Sequence, residues 1–312
     1  MKAEIRALRE AMGGEGYIAD DAVATAVFLA LDLGKPLLIE GDAGVGKTEI
    51  AKVLARLRGT ELIRLQCYEG LDVSTAVYEW NYPRQMLRAR MAEREGQGAA
   101  ELDEAVFGRA YLLERPLLRA ITRTEGPAVL LVDEVDRADE AFEAFLLEVL
   151  SDFQVTIPEL GTLRAEHVPH VVLTSNCTRE IGDALRRRCL YLHLEHPTLE
   201  KEVRILRARV PGASEVLALE IGRFVRALRG RRLVRSPGVA ESIDWARALV
   251  RLHLDRLDPE VVLATLGCIV KDRHDLRELG AAEVGRLVAE ARIAEARDEA
   301  RADETRAGAP AP

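Results

Sequence analysis

The sequence predicts an α/β fold, in which a parallel sheet is flanked by helices and followed by a small all-helical domain. Three observations support this prediction. Short apolar runs alternate with helical patterns, a glycine-rich loop at 41–48 directly follows one of these runs, and only helical patterns occur from Leu199 onward. We therefore expect an α/β domain at 1–198, a helical lid domain at 199–300 and a disordered tail at 301–312.

The apolar runs give the expected strands, which cover residues 36–39, 62–65, 128–132, 170–174 and 190–194. The run at 128–132 has no polar residue, as expected for a central parallel strand that is buried on both faces. Helical patterns cover residues 1–35, 48–57, 107–124 and 139–150. The segment 68–105 is irregular, and the polar segment 154–166 is expected to be a β-hairpin that turns at 159–161.

The loop after the first strand carries the most specific pattern in the chain. It matches G-x-x-x-x-G-K-[ST] without a gap, with the residues Gly41, Asp42, Ala43, Gly44, Val45, Gly46, Lys47 and Thr48. Its glycines let backbone N–H groups line a nest for an anion, and the following helix directs its positive end at the same anion. Lys47 is expected to reach the β- and γ-phosphates, and the Thr48 hydroxyl to ligate Mg²⁺. The loop therefore predicts that the chain binds a nucleoside triphosphate.

Two carboxylates follow the central strand at the point where it ends. Asp133 and Glu134 come directly after 128–132, about 85 residues beyond the loop, at the edge where parallel sheets bind ligands. Asp133 is expected to hold Mg²⁺ through water, and Glu134 to polarise the water that attacks the terminal phosphate. The alternative is a helix N-terminus whose acidic residues match the helix dipole.

Further polar groups follow or precede the last two strands. Asn176 comes just after the fourth apolar run and is a candidate to hydrogen-bond the γ-phosphate or to orient the water; a turn-forming asparagine is the alternative. Arg186, Arg187 and Arg188 precede the strand at 190–194. An arginine there is a candidate to reach the γ-phosphate that a neighbouring subunit binds, and a solvated arginine is the alternative.

Taken together, these motifs resemble those of the AAA+ ATPases, and more narrowly those of the MoxR family. The resemblance covers roughly residues 15–275 and rests on GDAGVGKT, LLVDEVDRAD, VVLTSN and DALRRRC, in the family's order and spacing. Two segments, VYEWNY at 77–82 and GVAESIDWA at 238–246, are most similar to the branch of the family associated with carbon monoxide dehydrogenase maturation.

The resemblance implies a P-loop NTPase (AAA+) sheet that binds and hydrolyses ATP with Mg²⁺, in a homo-oligomeric ring that is usually a hexamer. It makes Arg188 the finger that acts on a neighbour's ATP, with Arg187 as the second candidate. Segment 68–105 falls where the family inserts an extra element, and 154–166 where it carries a hairpin; both are expected to face the pore or the client. The resemblance also implies a partner with a von Willebrand A domain and a client metalloenzyme, such as a molybdenum hydroxylase that receives its metal cofactor.

The helical domain departs from the family pattern at one point. Where relatives carry a sensor-2 arginine near an S-P-R step, this chain has Ser236, Pro237 and Gly238. Either Arg235 takes that role, or the lid responds to nucleotide without it.

Several residues beside the motifs have both a structural and a functional interpretation. Asp136, Arg137 and Asp139 are expected to cap the following helix, and a contact across a subunit interface is the alternative for Arg137 or Asp139. Trp80 and Tyr82 are candidates to grip a client, and packing within the irregular segment is the alternative.

Composition narrows the function classes. Lys and Arg number 44 against 52 Asp and Glu, a formal charge of −8, so a global basic surface for nucleic acid is not expected. The four cysteines are dispersed without a C-x-x-C pair, and the N-terminus lacks an apolar signal segment; both observations favour reduced thiols and a cytoplasmic location. No apolar window is long enough to predict a membrane span.

Two other functions stay open as alternatives. A nucleic-acid motor or loader shares the AAA+ core, although the acidic balance counts against it. A phosphotransferase shares the P-loop, but Glu134 directly after Asp133 favours water activation, and an arginine before a strand favours an oligomer. A GTPase is disfavoured because no N-K-x-D motif follows a suitable strand.

Overall fold

The computed structural model describes residues 1–95 and 107–292 of the chain. The chain divides into two compact units. The first contains Met1–Gly41 and Lys47–Leu194, and the second contains Asp42–Gly46 and the residues from Glu195 onward. The expected tail at 301–312, and part of the irregular segment 68–105, lie outside the described residues.

A parallel sheet forms the centre of the first unit. In the described part of the chain its strands run in the order β2-β5-β8-β1-β9, namely β1 (Leu37–Gly41), β2 (Leu62–Gln66), β5 (Val129–Asp133), β8 (His170–Ser175) and β9 (Leu190–Leu194). All neighbouring pairs are parallel. Every residue of β1 and β5 is buried, so both faces of the sheet are covered, as their apolar runs require. This confirms the predicted fold class.

Helices precede and connect the strands of the first unit. They are α1 (Lys2–Gly14), α2 (Asp21–Asp32), α3 (Lys47–Arg58), α4 (Val73–Ala76), α5 (Tyr82–Glu95), α6 (Pro116–Ile121), α7 (Glu140–Asp152) and α8 (Asp183–Arg188). Asp139 caps α7, because its side chain accepts the Phe142 N–H at 2.8 Å. Asp136 and Arg137 do not cap that helix; they lie in the short 3₁₀ turn Val135–Arg137 and make the contacts described below.

The prediction of a helix over 107–124 is mostly wrong. That segment contains a 3₁₀ turn at Arg109–Tyr111, strand β4 (Leu112–Glu114) and only then α6. β4 pairs antiparallel with β3 (Tyr78–Trp80), so a distant partner overrides the local helical pattern. Arg115 is extended, as the residue before a proline tends to be, and Pro116 then begins α6.

The irregular segment and the hairpin both contain regular structure. α4, β3 and α5 lie in 68–105. Trp80 is 8% exposed and packs edge-on against Tyr78 and Phe107, so it belongs to the core; Tyr82 is 60% exposed. The hairpin predicted over 154–166 is present, as β6 (Gln154–Ile157) paired antiparallel with β7 (Gly161–Arg164).

The second unit is helical. Its helices are α9 (Leu199–Arg209), α10 (Glu215–Arg229), α11 (Val239–Arg251), α12 (Pro259–Thr265) and α13 (Arg273–Glu278), with 281–292 also helical. Its core is built around Phe224 and Trp245, which are fully buried with ring centroids 5.3 Å apart. Among all helices within 1–95 and 107–292, none is long and apolar enough to cross a membrane.

Candidate nucleotide site

The phosphate loop connects β1 to α3. Gly41, Gly44 and Gly46 have φ of 150°, 77° and 100°, values that residues other than glycine rarely adopt. At Gly41 a Cβ atom would also lie 2.1 Å from the Leu194 carbonyl oxygen. The glycines of the motif are therefore required by the backbone path, which is the property expected of an anion nest.

Lys47 and Asn176 meet at the carboxyl edge of the sheet. Lys47 is 6% exposed, and its ammonium donates to the Gly41 carbonyl at 2.6 Å and to Asn176 Oδ1 at 2.8 Å. A buried ammonium group beside the phosphate loop is suited to a polyphosphate, because its charge is opposite to that of the phosphates.

Thr48 and Asp133 also come together. The Thr48 hydroxyl donates to Asp133 Oδ1 at 3.0 Å, and Asp133 is 3% exposed. A hydroxyl and a carboxylate at this distance are oxygen donors of the kind that Mg²⁺ takes, usually with several waters. The donor set therefore fits Mg²⁺ at the position that the motif predicted.

Glu134 is placed by its backbone. It adopts the left-handed conformation, φ 56° and ψ 50°, and its N–H donates to Thr174 Oγ1 at 3.0 Å. A non-glycine residue in this region is strained, and such residues cluster at functional sites. Its carboxylate forms an ion pair with Arg137, with Oε2 2.8 Å from Nε. Arg137 therefore contacts the candidate water-activating group.

Two residues that hold Asp133 were missed as functional residues in the sequence. Arg64 donates to Asp133 Oδ2 from Nε at 3.0 Å and from Nη2 at 2.5 Å, and Thr174 Oγ1 donates to Oδ1 at 2.5 Å. The available signal was a single arginine within the apolar strand 62–65. For Thr174 the signal was its place in the polar step Thr174-Ser175-Asn176 at the end of the fourth apolar run, but a threonine is ordinary in a strand and does not by itself indicate a role.

A buried thiol lies beside the same carboxylates. Burial raises the pKa of Cys67 to about 12, with further contributions from Asp133, Asp136 and Glu134. Its N–H donates to the Asp133 carbonyl at 2.8 Å. Cys67 is therefore a neutral packing residue at neutral pH.

The structure separates the roles of the α8 arginines. Arg186 pairs with Glu40 at 2.8 Å, and Arg188 donates from Nη1 to Ser151 Oγ. Arg187 is exposed and forms no ion pair with any residue within 1–95 or 107–292. Arg187 and Arg188 thus lie on the surface, whereas Arg186 is anchored inside its own subunit.

Gly238 lies close to the loop residues that belong to the second unit. A Cβ atom at 238 would lie 2.7 Å from Gly44 Cα and 2.8 Å from the Ala43 carbonyl oxygen, and Val239 N–H donates to the Gly44 carbonyl at 2.9 Å. A larger residue at 238 would therefore require the backbone of the phosphate loop to shift. Arg235 is exposed, and its N–H donates to Asp275 at 3.3 Å.

Much of the chain is similar in sequence to known proteins. The family model described as an AAA domain of the dynein-related subfamily matches residues 36–189. The gas vesicle ATPase GvpN of Haloferax mediterranei is 29% identical over 264 residues, which cover 80% of this chain and 73% of that protein. The protein NorQ of Paracoccus denitrificans is 24% identical over 263 residues, covering 80% of this chain and 87% of that protein.

Among solved structures, a RuvB Holliday junction branch migration motor of Thermotoga maritima matches with a TM-score of 0.45 and 17% identity, over 83% of this chain and 68% of that chain. The matched range 36–189 contains the phosphate loop, Asp133, Glu134 and Asn176. Residues 36–189 therefore form an AAA domain of the dynein-related subfamily, and the protein is an ATPase.

Proposed function

We propose that this ATPase is a ring-forming, MoxR-type chaperone that remodels or matures a client protein. For the chemistry, Lys47 and the phosphate loop bind the phosphates, Thr48 and Asp133 hold Mg²⁺, Glu134 polarises the attacking water, and Asn176 orients it. When bound there, Mg²⁺ would neutralise part of the negative charge on the phosphate oxygens. The observation that carries this assignment is the convergence of Lys47, Asn176, Thr48 and Asp133 within hydrogen-bond distance.

Turnover requires Glu134 to leave its ion pair. Its Oε2 is 2.8 Å from Arg137 Nε, and Arg137 is 55% exposed, so the pair is accessible to solvent and weakly held. We infer that nucleotide binding or a neighbouring subunit draws Arg137 away and leaves the carboxylate available to water.

Assembly into a ring, most simply a hexamer, completes the site. Arg188 is exposed on α8 and is proposed to reach the ATP of the neighbouring subunit, with Arg187 as the second candidate. Heterologous contacts of this kind close into rings when the rotation per subunit allows it. Light scattering with and without a non-hydrolysable ATP analogue tests this; a monomer under both conditions would count against the ring.

An exposed apolar surface supports a protein client. On α5, the side chains of Tyr82, Met86, Leu87 and Met91 are 49–61% exposed, and large exposed apolar surfaces commonly mark binding sites. Proposed partners are a von Willebrand A domain protein and a client metalloenzyme in the cytoplasm. The segments 77–82 and 238–246 favour a molybdenum hydroxylase such as carbon monoxide dehydrogenase as that client.

Two variants test the chemistry. Lys47→Ala should abolish ATP binding, because it removes the cation beside the phosphate loop. Glu134→Gln should keep ATP binding and lower turnover by roughly 10²–10⁴-fold, the usual range for loss of general-base catalysis. Glu140→Gln, the same change at an exposed position at the start of α7, is the control and should retain turnover. Normal ATPase activity in Glu134→Gln would contradict the role of that glutamate.

The client proposal needs its own experiment. Glu134→Gln protein, loaded with ATP, is used to capture bound partners, alone and with Met86→Ser and Leu87→Ser added. The control adds Leu252→Ser, an apolar residue that is 53% exposed outside α5. Loss of a captured protein with the α5 changes but not with the control supports the proposal. Capture of nucleic acid instead of a protein would favour the nucleic-acid motor. Product analysis that finds a phosphorylated acceptor in place of free phosphate would favour the phosphotransferase.

A further inference from the structure

A carboxylate lies in a central strand of the sheet, one residue before the phosphate loop. Glu40 belongs to β1, which pairs with β8 on one side and with β9 on the other. It is 4% exposed, and the preceding residues Leu37–Ile39 are apolar and buried. A buried carboxylate is strongly destabilising unless it is paired and hydrogen-bonded.

Glu40 is satisfied by two residues from the end of the AAA domain. Arg186 Nη2 donates to its Oε1 at 2.8 Å and to its Oε2 at 2.9 Å, and the Tyr191 hydroxyl donates to Oε2 at 2.9 Å. The Arg186 guanidinium also lies over the Tyr191 ring, 5.7 Å from its centroid. The last turn of α8 is thereby fastened to β1.

A second buried carboxylate holds the other end of α8. Glu143 of α7 is 5% exposed and accepts the Gly182 N–H, at the start of α8, at 2.9 Å. It also accepts a hydrogen bond from Arg179. α8 is thus fixed at both ends, by Glu143 at its start and by Glu40, through Arg186, at its finish.

We propose that Glu40 is a positioning residue: through Arg186 it holds α8 and thereby sets the place of Arg188 for the neighbouring subunit's site. The proposal rests on the proposed role of Arg188 as the finger. Arg188 is two residues beyond Arg186. Within residues 1–95 and 107–292 its side chain hydrogen-bonds only the Ser151 hydroxyl, through Nη1, whereas Arg186 is held by the buried carboxylate of Glu40. Glu40 also directly precedes Gly41. The Glu40–Arg186 ion pair therefore connects the start of a subunit's own phosphate loop to the helix that carries Arg188, which acts on the neighbouring subunit's ATP.

A merely structural role for the pair makes a different prediction. If Glu40 only stabilises the fold or shapes its own phosphate loop, its replacement harms the subunit that carries it, wherever that subunit stands. If Glu40 positions Arg188, its replacement harms the ATP site of the neighbour. Mixed assemblies separate these two possibilities.

The experiment mixes two inactive proteins. Arg188→Ala is the acceptor, with an intact loop and no finger; Lys47→Ala is the donor, with an intact finger and a disabled loop. Their co-assembly, confirmed by native mass spectrometry, should restore ATP hydrolysis. Glu40→Gln is then added either to the donor or to the acceptor. Glutamine keeps the length of the side chain and one acceptor oxygen for Arg186, but removes the charge.

On our proposal, Glu40→Gln in the donor lowers the restored turnover by about tenfold, because catalysis is sensitive to misplaced groups. In the acceptor, the same change alters the restored turnover by less than about twofold, because the acceptor contributes no Arg188. Arg186→Gln in the donor should do the same, and adding it to Glu40→Gln should lower turnover no further, because both act through one contact. If the Glu40→Gln donor does not fold or co-assemble, the Arg186→Gln donor carries the test.

Each other outcome overturns a specific claim. A loss in the acceptor that equals or exceeds the loss in the donor, or no loss in either, overturns the positioning role of Glu40 while leaving Arg188 as the finger. Absence of restored activity from the parent pair in confirmed mixed assemblies overturns Arg188 as the finger, and the role of Glu40 falls with it.

Discussion

Asp136 accepts the backbone N–H of Asn176 at 3.2 Å, so the turn after β5 holds the loop that follows β8. The same carboxylate accepts the N–H of Thr178 at 2.9 Å and its hydroxyl at 2.5 Å, and Asp136 is 3% exposed. Asn176 is therefore fixed through its backbone by Asp136 and through its side chain by Lys47. The candidate water-orienting group depends on a residue that the sequence analysis assigned to a helix cap.

Asp136→Asn should lower the turnover number about tenfold with ATP affinity retained. The carboxamide loses the charge that strengthens these bonds; hydrogen bonds to charged groups are worth about 1.5–3 kcal/mol, and about 1.4 kcal/mol corresponds to tenfold in rate. Lys47 and the phosphate loop are unchanged, so binding should persist. Steady-state kinetics and a nucleotide titration measure the two quantities separately.

Asp139→Asn is the matched control for this variant. Asp139 also accepts a backbone N–H, but as the cap of α7, and asparagine is an equally good cap. Its turnover should stay within about twofold of the unchanged protein, since capping energies barely differ between these residues. Equal effects of the two variants would show that Asn176 does not depend on Asp136.

The contribution of Asp136 to stability should disappear in acid. Burial raises the pKa of Asp136, but hydrogen bonds from Thr178 and Asn176 outweigh burial and hold that pKa below its ordinary value. A carboxyl with a depressed folded pKa contributes stability above its unfolded pKa, about 3.9, and loses it as the pH falls through the lower folded value. Urea unfolding of the unchanged protein and Asp136→Asn should therefore differ above about pH 4 and converge below it. A difference that is constant with pH would contradict this.

Arg64→Gln should destabilise the protein by about 1–2 kcal/mol. Asp133 is buried and Arg64 is its paired cation, so the change leaves a buried carboxylate poorly compensated. Loss of one partner of a fully buried ion pair costs about 3–5 kcal/mol. The expected cost is smaller here because Arg64 is half exposed and its charge is screened by solvent. Arg119→Gln is the control, since Arg119 pairs with the half-buried Glu61 and should cost less than about 0.5 kcal/mol. Denaturant unfolding compares them, and equal losses would contradict the prediction.

Gly238→Ala should weaken ATP binding. Its Cβ would lie 2.7 Å from Gly44 Cα, so the backbone of the phosphate loop must shift, and overpacking of this kind costs about 1–3 kcal/mol. We expect a loss of about tenfold in ATP affinity, measured by titration, if about 1.4 kcal/mol of that cost appears in binding. Gly267→Ala is the control, because apart from its chain neighbours and its own turn no atom of the described residues lies within 4 Å of its Cβ position. Unchanged affinity in Gly238→Ala would show that the loop tolerates the shift.

Alkylation should distinguish the cysteines. Burial raises the pKa of Cys67 and of Cys189 to about 12, so at about pH 8 roughly 10⁻⁴ of each thiol is the reactive thiolate. Cys177 is exposed and should react with iodoacetamide first, as followed by peptide mass spectrometry. Modification of Cys67 at the rate of Cys177 would mean that the sheet edge opens in solution.

The sequence by itself determined the sheet and the phosphate loop. The strands could be located because a parallel strand buried on both faces needs an uninterrupted apolar run, and the run at 128–132 is one. The loop could be located because its path needs positive φ at Gly44 and Gly46, which restricts the residue type. In each case the information lies within a few consecutive residues.

Tertiary structure decided the pairings. Residues 112–114 form a strand because β3 lies beside them, which outweighs their helical pattern. Glu40 meets Arg186 across 146 residues of sequence, and Asp136 holds Asn176 rather than capping a helix. Periodicity records which face of a segment is buried, but a side-chain partner depends on strand order and register, and these are properties of the assembled sheet rather than of any one segment.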